Sequence, residues 1–254
     1  MTTICVMSDH IFLDTEYRQP IIHQHLAKHI IVSLSGNLSV MFNETEKLEC
    51  NGIIIDSNVP HTVASKENKM LVFLIEDTST LAKNLSKYQL LEHSFFVMDN
   101  LIVEQIQEIY TICQVEGLPQ SYIDFSKKVF RLLNLNYHIM SVVDSRIQWA
   151  LNHILKYTYI ENKIIFEICS KLKLSQSRFS HLFKEQTGIS LNSYLAFSKL
   201  RKAYEILLRG VDITTAAMEA GFSSPSHFSA SSKKYLGIAA SELAGKCRIY
   251  FIYQ

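Results

Sequence analysis

The feature that most constrains this chain is a stretch of its C-terminal half that occurs twice, with Phe179 and Phe228 marking the same place 49 residues apart. At the same offset Ile164 matches Ile213, Ser175 matches Ser224, Ser177 matches Ser226, Ser180 matches Ser229, Lys184 matches Lys233, Gly188 matches Gly237 and Ile189 matches Ile238. Each copy reads as a short apolar-periodic helix, a tight turn, and a second helix opened by a serine in the N-cap position and closed by a glycine. That is the helix-turn-helix plan, and a motif of this kind points to DNA.

In the first copy Ile164, Ile168 and Leu172 recur every four residues. Ser175 then caps a helix that carries Phe179, Leu182 and Phe183 inward. Ser177, Ser180, His181 and Lys184 fall on the opposite face, at spacings that form one solvent stripe of the width a major groove receives. Hydroxyl, imidazole and ammonium groups suit base edges and phosphates. In the second copy Ala216, Ala217 and Ala220 allow close helix packing, and Gly221 makes the turn. Ser224 caps, and Pro225 takes the first helical position, where a missing N–H costs nothing. Between the copies, Leu195, Leu200, Ala203, Ile206 and Leu207 lie on a helical period, so one connecting helix over 191–209 is expected. It would span about 27 Å, compatible with two recognition helices entering successive major-groove segments about 34 Å apart.

The runs Arg201-Lys-Ala-Tyr-Glu-Ile-Leu-Leu208, Gly221-Phe-Ser-Ser-Pro-Ser-His-Phe228, Lys233-Lys-Tyr-Leu-Gly237 and Leu182-Phe-Lys-Glu-Gln-Thr-Gly188 resemble the C-terminal signature of AraC/XylS-type transcription regulators, over about residues 145 to 243. The resemblance implies DNA contacts from Ser177, Arg178, Ser180, His181 and Lys184 in copy one. In copy two it implies contacts from Ser226, His227 and Ser229, with Lys233 and Lys234 at the backbone. It further implies a homodimer, RNA polymerase as a partner and activation as the mode of control. The second copy departs from the family pattern: Ser231 and Ser232 stand where copy one has Leu182 and Phe183, Ala230 stands in place of His181, and Ala240 stands where the family has proline. Most sequence discrimination is therefore expected from copy one. The aromatic tail Arg248–Tyr253 is expected to patch a thin second core.

Charge divides the chain in the same way. Residues 145–254 carry fifteen Lys or Arg against seven Asp or Glu, a balance of +8, while residues 1–144 carry ten against seventeen, a balance of −7. Basic character lies where phosphate would be met. The five cysteines are scattered and odd in number, a usage that fits a reducing cytoplasm. No apolar run reaches membrane-spanning length, and no membrane role is expected.

The N-terminal part reads as short β-rich runs, His29–Leu34, Leu38–Phe42, Gly52–Asp56 and Met70–Ile75, hence a small antiparallel barrel or sandwich. His23-Gln-His25, His29 and Gly36, with Gly52 and Pro60-His61 beyond, resemble the cupin pattern, His29 standing at the usual glutamate. His23, His25, His29 and His61 are thus candidate ligands for a divalent transition metal or a lining for a small-molecule effector pocket. The expected organisation is α+β: a cupin-like sensing barrel over 1–78, linker and dimerisation helices over 79–144 with a joint near Met140–Ser145, and an all-α domain with two helix-turn-helix motifs over 145–254. The competing reading is a metal-dependent cupin enzyme with an accessory helical domain; a non-catalytic protein-binding adaptor leaves the basic bias unexplained. No nucleophile motif, phosphate loop or usefully spaced carboxylate pair is present.

Overall fold

The computed structural model describes residues 2–7, 9–16, 22–24, 27–43, 46–65, 69–135, 144–157, 162–207, 209–236, 240 and 247–252. The chain divides into two compact units, Met1–His138 with Lys246–Gln254, and Ile139–Gly245. The fold is the α+β arrangement expected, a sheet unit followed by a helical one.

In the first unit the described strands are β1 (Thr2–Val6), β2 (His10–Thr15), β3 (Lys28–Ser33), β4 (Leu38–Met41), β5 (Lys47–Cys50), β6 (Gly52–Ile55), β7 (Thr62–Ser65), β8 (Met70–Ile75), β9 (Phe95–Val97) and β10 (Cys247–Phe251). They form a seven-stranded sheet in the order β10-β1-β2-β8-β3-β6-β9 and a three-stranded sheet in the order β5-β4-β7. Strands β2, β3 and β8 are buried along their whole length. A strand covered on both faces reads as a continuous apolar run, which is why Met70–Ile75 shows no polar alternation.

One face of the large sheet is covered by α1 (Thr80–Leu85), a π-helical turn (Ser86–Leu90), α2 (Asn100–Glu116) and α3 (Tyr122–Leu132). Phe12, Ile30 and Phe73 from the sheet share one core with Val103, Ile106, Phe125 and Phe130 from the helices. The division expected at residue 78 is corrected by this core, because the helices complete the sheet unit; β9 also interrupts the helical stretch expected there. Gly52 lets α2 approach closely, since a Cβ at that position would lie 2.6 Å from Val103 Cγ2. Two buried polar contacts fix the helices to β2: His10 Nε2 meets Tyr122 Oη at 2.7 Å, and the Tyr110 hydroxyl donates to Asp14 Oδ2 at 2.7 Å. Burial, followed by that carboxylate, pushes the Tyr110 phenol well above its ordinary range, so it stays a donor. At the sheet's end the buried Lys28 ammonium is held by Asp56 and by Asp77 Oδ1 at 3.0 Å, joining the ends of β3, β6 and β8.

The C-terminal tail overturns an expectation. Residues Cys247–Phe251 form β10, which pairs in parallel with β1, Cys247 opposite Thr2 and Phe251 opposite Val6. Tyr250 and Ile252 pack against the core of the sheet unit. The tail therefore completes the N-terminal sheet and does not patch the second helix-turn-helix; its alternating apolar residues find an open strand edge there.

The second unit contains α4 (Ser145–Lys156), α5 (Asn162–Leu172), α6 (Gln176–Thr187), α7 (Leu191–Leu207), α8 (Ile213–Glu219) and α9 (Pro225–Leu236). Asp144 caps α4 by accepting from Arg146 N at 2.9 Å. The Arg146 guanidinium, with that N–H, holds the Asp144 carboxyl down at about 2. Helix α7 is the shared spine. Its Leu191 and Leu195 enter the core of the first copy, and Leu200, Ala203 and Tyr204 are buried where α7 packs on α8 and α9. Its 17 residues span about 25 Å.

Candidate nucleic-acid interface

The first helix-turn-helix is α5 and α6. Ile164, Ile165, Ile168 and Cys169 of α5 meet Phe179, Leu182 and Phe183 of α6 in one core, completed by Ile147, Ala150 and Ile154 of α4. The turn runs through Lys173 in the left-handed region, φ 53°, and closes with Leu174 N donating to the Cys169 carbonyl at 3.0 Å. Ser175 Oγ then accepts from Arg178 N at 3.2 Å. Gly188, φ 76°, ends α6 by donating to the Lys184 carbonyl. Both serine cap and glycine stop act as the sequence indicates.

The second is α8 and α9. Asp212 caps α8 by accepting from Thr214 N and Thr215 N. The turn places Gly221 at φ 91° and closes with Phe222 N donating to the Ala217 carbonyl at 3.0 Å. Ser224 Oγ accepts from His227 N at 3.1 Å and opens α9. Lys199 Nζ, reaching from α7, donates to the Gly221 carbonyl at 3.1 Å.

These hydrogen bonds set a register that the sequence offset misses. Cys169–Leu174 corresponds to Ala217–Phe222, an offset of 48 residues, whereas the caps Ser175 and Ser224 stand 49 apart. The second turn is longer by one residue, Ser223. Ile213 accordingly corresponds to Ile165 of α5, and its match with Ile164 belongs to the offset of the second helices alone.

The outward faces carry the residues singled out from the sequence. On α6, Ser177, Arg178 and His181 are exposed and Ser180 and Lys184 partly so. On α9, Ser226, His227, Lys233 and Lys234 are exposed and Ser229 partly so. None of the ten is buried, and each helix turns its phenylalanine, Phe179 or Phe228, fully inward. The His227 ring is held on two sides. Its Nδ1 lies 2.9 Å from Ser223 Oγ, and its ring stands edge-on to Phe222 at 5.5 Å.

The second copy's missing aromatic at 232 has a structural answer. Ser232 is fully buried, and its Oγ lies 2.5 Å from the Tyr204 hydroxyl. Tyr204 comes from α7, is 3% exposed, and packs edge-on to Phe228 at 5.3 Å. The aromatic volume that copy one supplies from its own recognition helix is here supplied across the interface by the connecting helix. Ala240 is fully buried; Gly237 and Ile238 lie outside the described residues.

In the sheet unit His23 and His61 bridge two chain segments through reciprocal backbone hydrogen bonds of 3.0 and 2.9 Å. The His61 ring packs on His23 at 5.1 Å and on His29 at 4.6 Å, while His25 lies outside the described residues. Three of the four expected histidines thus come together. His61 is 2% exposed. Its Nδ1 donates to the Val59 carbonyl at 2.7 Å, and burial lowers the imidazole to about 4. Among the described residues no group of three or more His, Cys, Asp or Glu is arranged to hold a metal ion; the His61 ring packs between the other two, edge-on to His29 and tilted against His23.

Comparison with known proteins agrees with the C-terminal geometry. The family described as "Helix-turn-helix domain" matches residues 168–246. The arabinose operon regulatory protein of Escherichia coli K12 is 30% identical over 118 residues, 46% of this chain and 40% of that protein, so the chain spans well under half the length of that relative. The probable transcriptional regulator LumQ of Photobacterium leiognathi is 23% identical over 225 residues, 85% of this chain and 89% of its own. Among solved structures, ToxT from Vibrio cholerae O395 aligns over 95% of both chains at 16% identity with a TM-score of 0.47. The helical unit, with its duplicated motif and its shared spine α7, is a helix-turn-helix domain, similar in sequence to that part of the arabinose operon regulatory protein.

Proposed function

We propose that this chain is a sequence-specific, double-stranded DNA-binding transcription regulator whose N-terminal sheet unit senses a small-molecule effector. The observation that carries the reading is the pair of helix-turn-helix motifs on one spine, each with a buried phenylalanine and an exposed face of hydroxyl, imidazole and cationic groups. Ser177, Arg178, Ser180 and His181 on α6, with Ser226, His227 and Ser229 on α9, are the base-edge set. Lys184, Lys233 and Lys234 meet phosphate. Copy one, with its longer polar side chains, carries most of the discrimination, and copy two adds mainly backbone contacts.

Dimerisation is assigned to α2, whose outward side leaves Leu101, Ile112 and Val115 at 69%, 52% and 85% exposure; a homodimer would pair two reading units on repeated sites. RNA polymerase contact and activation rest on the resemblance to AraC-type regulators. Cys5, Cys50, Cys113 and Cys169 are free and buried, as suits a cytoplasmic protein. No described helix is long and apolar enough to cross a membrane. An effector in the sheet unit acts only if it binds two states of the protein unequally. The cupin-enzyme reading leaves the duplicated motif and the +8 balance without a use.

Fluorescence anisotropy of a labelled duplex between about 50 and 200 mM salt tests the reading. Affinity should fall steeply with salt, and changing both Lys233 and Lys234 to Gln should lower the log–log slope by about 2. Weak binding without salt dependence would sink the DNA reading and leave the helical unit as a protein adaptor.

A further inference from the structure

The turn of the second helix-turn-helix is longer than that of the first by one residue, and that residue is Ser223. Its Oγ lies 2.9 Å from Nδ1 of His227, in the first turn of α9. The copy-one residue at the position of His227 is Arg178, an exposed side chain with five donors and several rotatable bonds. Copy one has no counterpart of Ser223.

We propose that Ser223 is a positioning residue for DNA recognition: it fixes the His227 ring so that helix α9, whose other base-edge candidates are the short Ser226 and Ser229, reads one base edge through Nε2. The proposal rests on the DNA-binding reading above. Two contacts restrain this imidazole: the ring stands at 89° to Phe222, and Nδ1 meets Ser223 Oγ. The backbone of the same residue is held by Ser224 Oγ, which accepts from His227 N at 3.1 Å. Phe222 is 3% exposed and belongs to the packed turn, so the ring leans on a rigid wall. A hydroxyl that donates to Nδ1 leaves the proton of the neutral ring on Nε2, which then faces outward as a hydrogen-bond donor. A donor suits the acceptors that base edges present in the major groove, such as guanine O6 and N7. In free protein this surface hydrogen bond competes with water; in a closed interface water is excluded and the fixed tautomer counts for more. Restraint before binding also removes part of the side-chain entropy cost that Arg178 must bear in copy one.

The test uses the full chain and a duplex recovered by that chain from a randomised library. Ser223→Ala should weaken binding to this duplex about three- to tenfold while leaving affinity for a scrambled duplex unchanged. Ser223→Thr, which keeps the hydroxyl, should bind like the unaltered chain. The 15N shifts of His227 should report protonated Nε2 in the unaltered chain and a tautomer mixture in Ser223→Ala. His227→Ala should weaken binding at least as much, and adding Ser223→Ala to it should change nothing further. Full additivity of the two changes, or an unaltered tautomer in Ser223→Ala, would overturn the positioning role while leaving α9 on DNA. If His227→Ala itself left specific binding intact, the placement of α9 against DNA would fall and the proposal with it.

Discussion

The two helix-turn-helix motifs share a plan and differ in how they are held. The first is built on hydrocarbon: Ile165, Ile168, Phe179, Leu182 and Phe183 fill one core and leave its recognition helix no buried polar group among the described residues. The second packs α8 through Ala216, Ala217 and Ala220, all fully buried, and completes the space with Tyr204 of α7 bonded to Ser232 of α9. Small residues on α8 let neighbouring helices approach closely, and the hydroxyl pair ties α9 to the spine α7. One duplicated motif can thus keep its shape while its stabilising interactions migrate from the recognition helix to the spine. The turns diverge in parallel: Lys173 holds a left-handed conformation where copy two has Gly221, and copy two gains Ser223.

The largest expected effect that separates the copies is in the hydrocarbon core. Phe183→Ala should cost about 3 to 5 kcal/mol, read by denaturant unfolding through Trp149, the only tryptophan, which packs on that core. A loss below about 1 kcal/mol would mean the first copy is not held as described. Acid should separate the helical unit from the sheet unit. Because burial lowers His61 from 6.5 to about 4, the unfolded chain takes up a proton first as pH falls. Stability is full above about 6.5 and is lost down to about 4, by up to about 3 kcal/mol. His61→Gln should flatten that pH profile in the sheet unit's β signal and leave the Trp149 transition where it was; an unchanged profile would contradict the burial of the ring.

Tyr204→Phe should cost about 0.5 to 1.5 kcal/mol, and no loss would show that the hydroxyl pair contributes nothing to the second copy. The smallest contrast lies in the turns. Gly221→Ala should destabilise by about 1 kcal/mol, whereas Lys173→Gly should be neutral or stabilising by a similar margin, since only glycine takes a positive φ without a Cβ clash. If both substitutions destabilised equally, backbone conformation would not distinguish the copies.

Much of the helical unit was legible from residues alone, because caps and stops act locally. Ser175, Ser224 and Gly188 announce helix ends in any context, and Phe179, Leu182 and Phe183 recur at a helical spacing. The shift in register was not, because an offset of 49 residues aligns the second helices and hides an inserted residue behind them. Nor was the pairing of Tyr204 with Ser232, although a serine at an inward position of α9 and a tyrosine on the inner face of the connecting helix were signals available to be read. In the sheet unit the runs around β3, β4, β6 and β8 could be seen, but β10 could not. Strand partners separated by the whole length of the chain leave no local pattern, and an aromatic tail reads equally well as cover for whatever core is nearest in sequence. The histidines were legible as a group, but their ring-to-ring packing depends on the pairing of His23 with His61, which is tertiary.

The central claim is that both copies read one duplex. Selection of randomised double-stranded DNA by the full chain at about 150 mM salt, followed by sequencing, tests it most directly. The account predicts a well-defined box that is lost with His181→Ala and, centred about one helical turn away, a distinct and weaker box that is lost with His227→Ala. A single box affected by both substitutions, or recovery of no sequence at all, would contradict it.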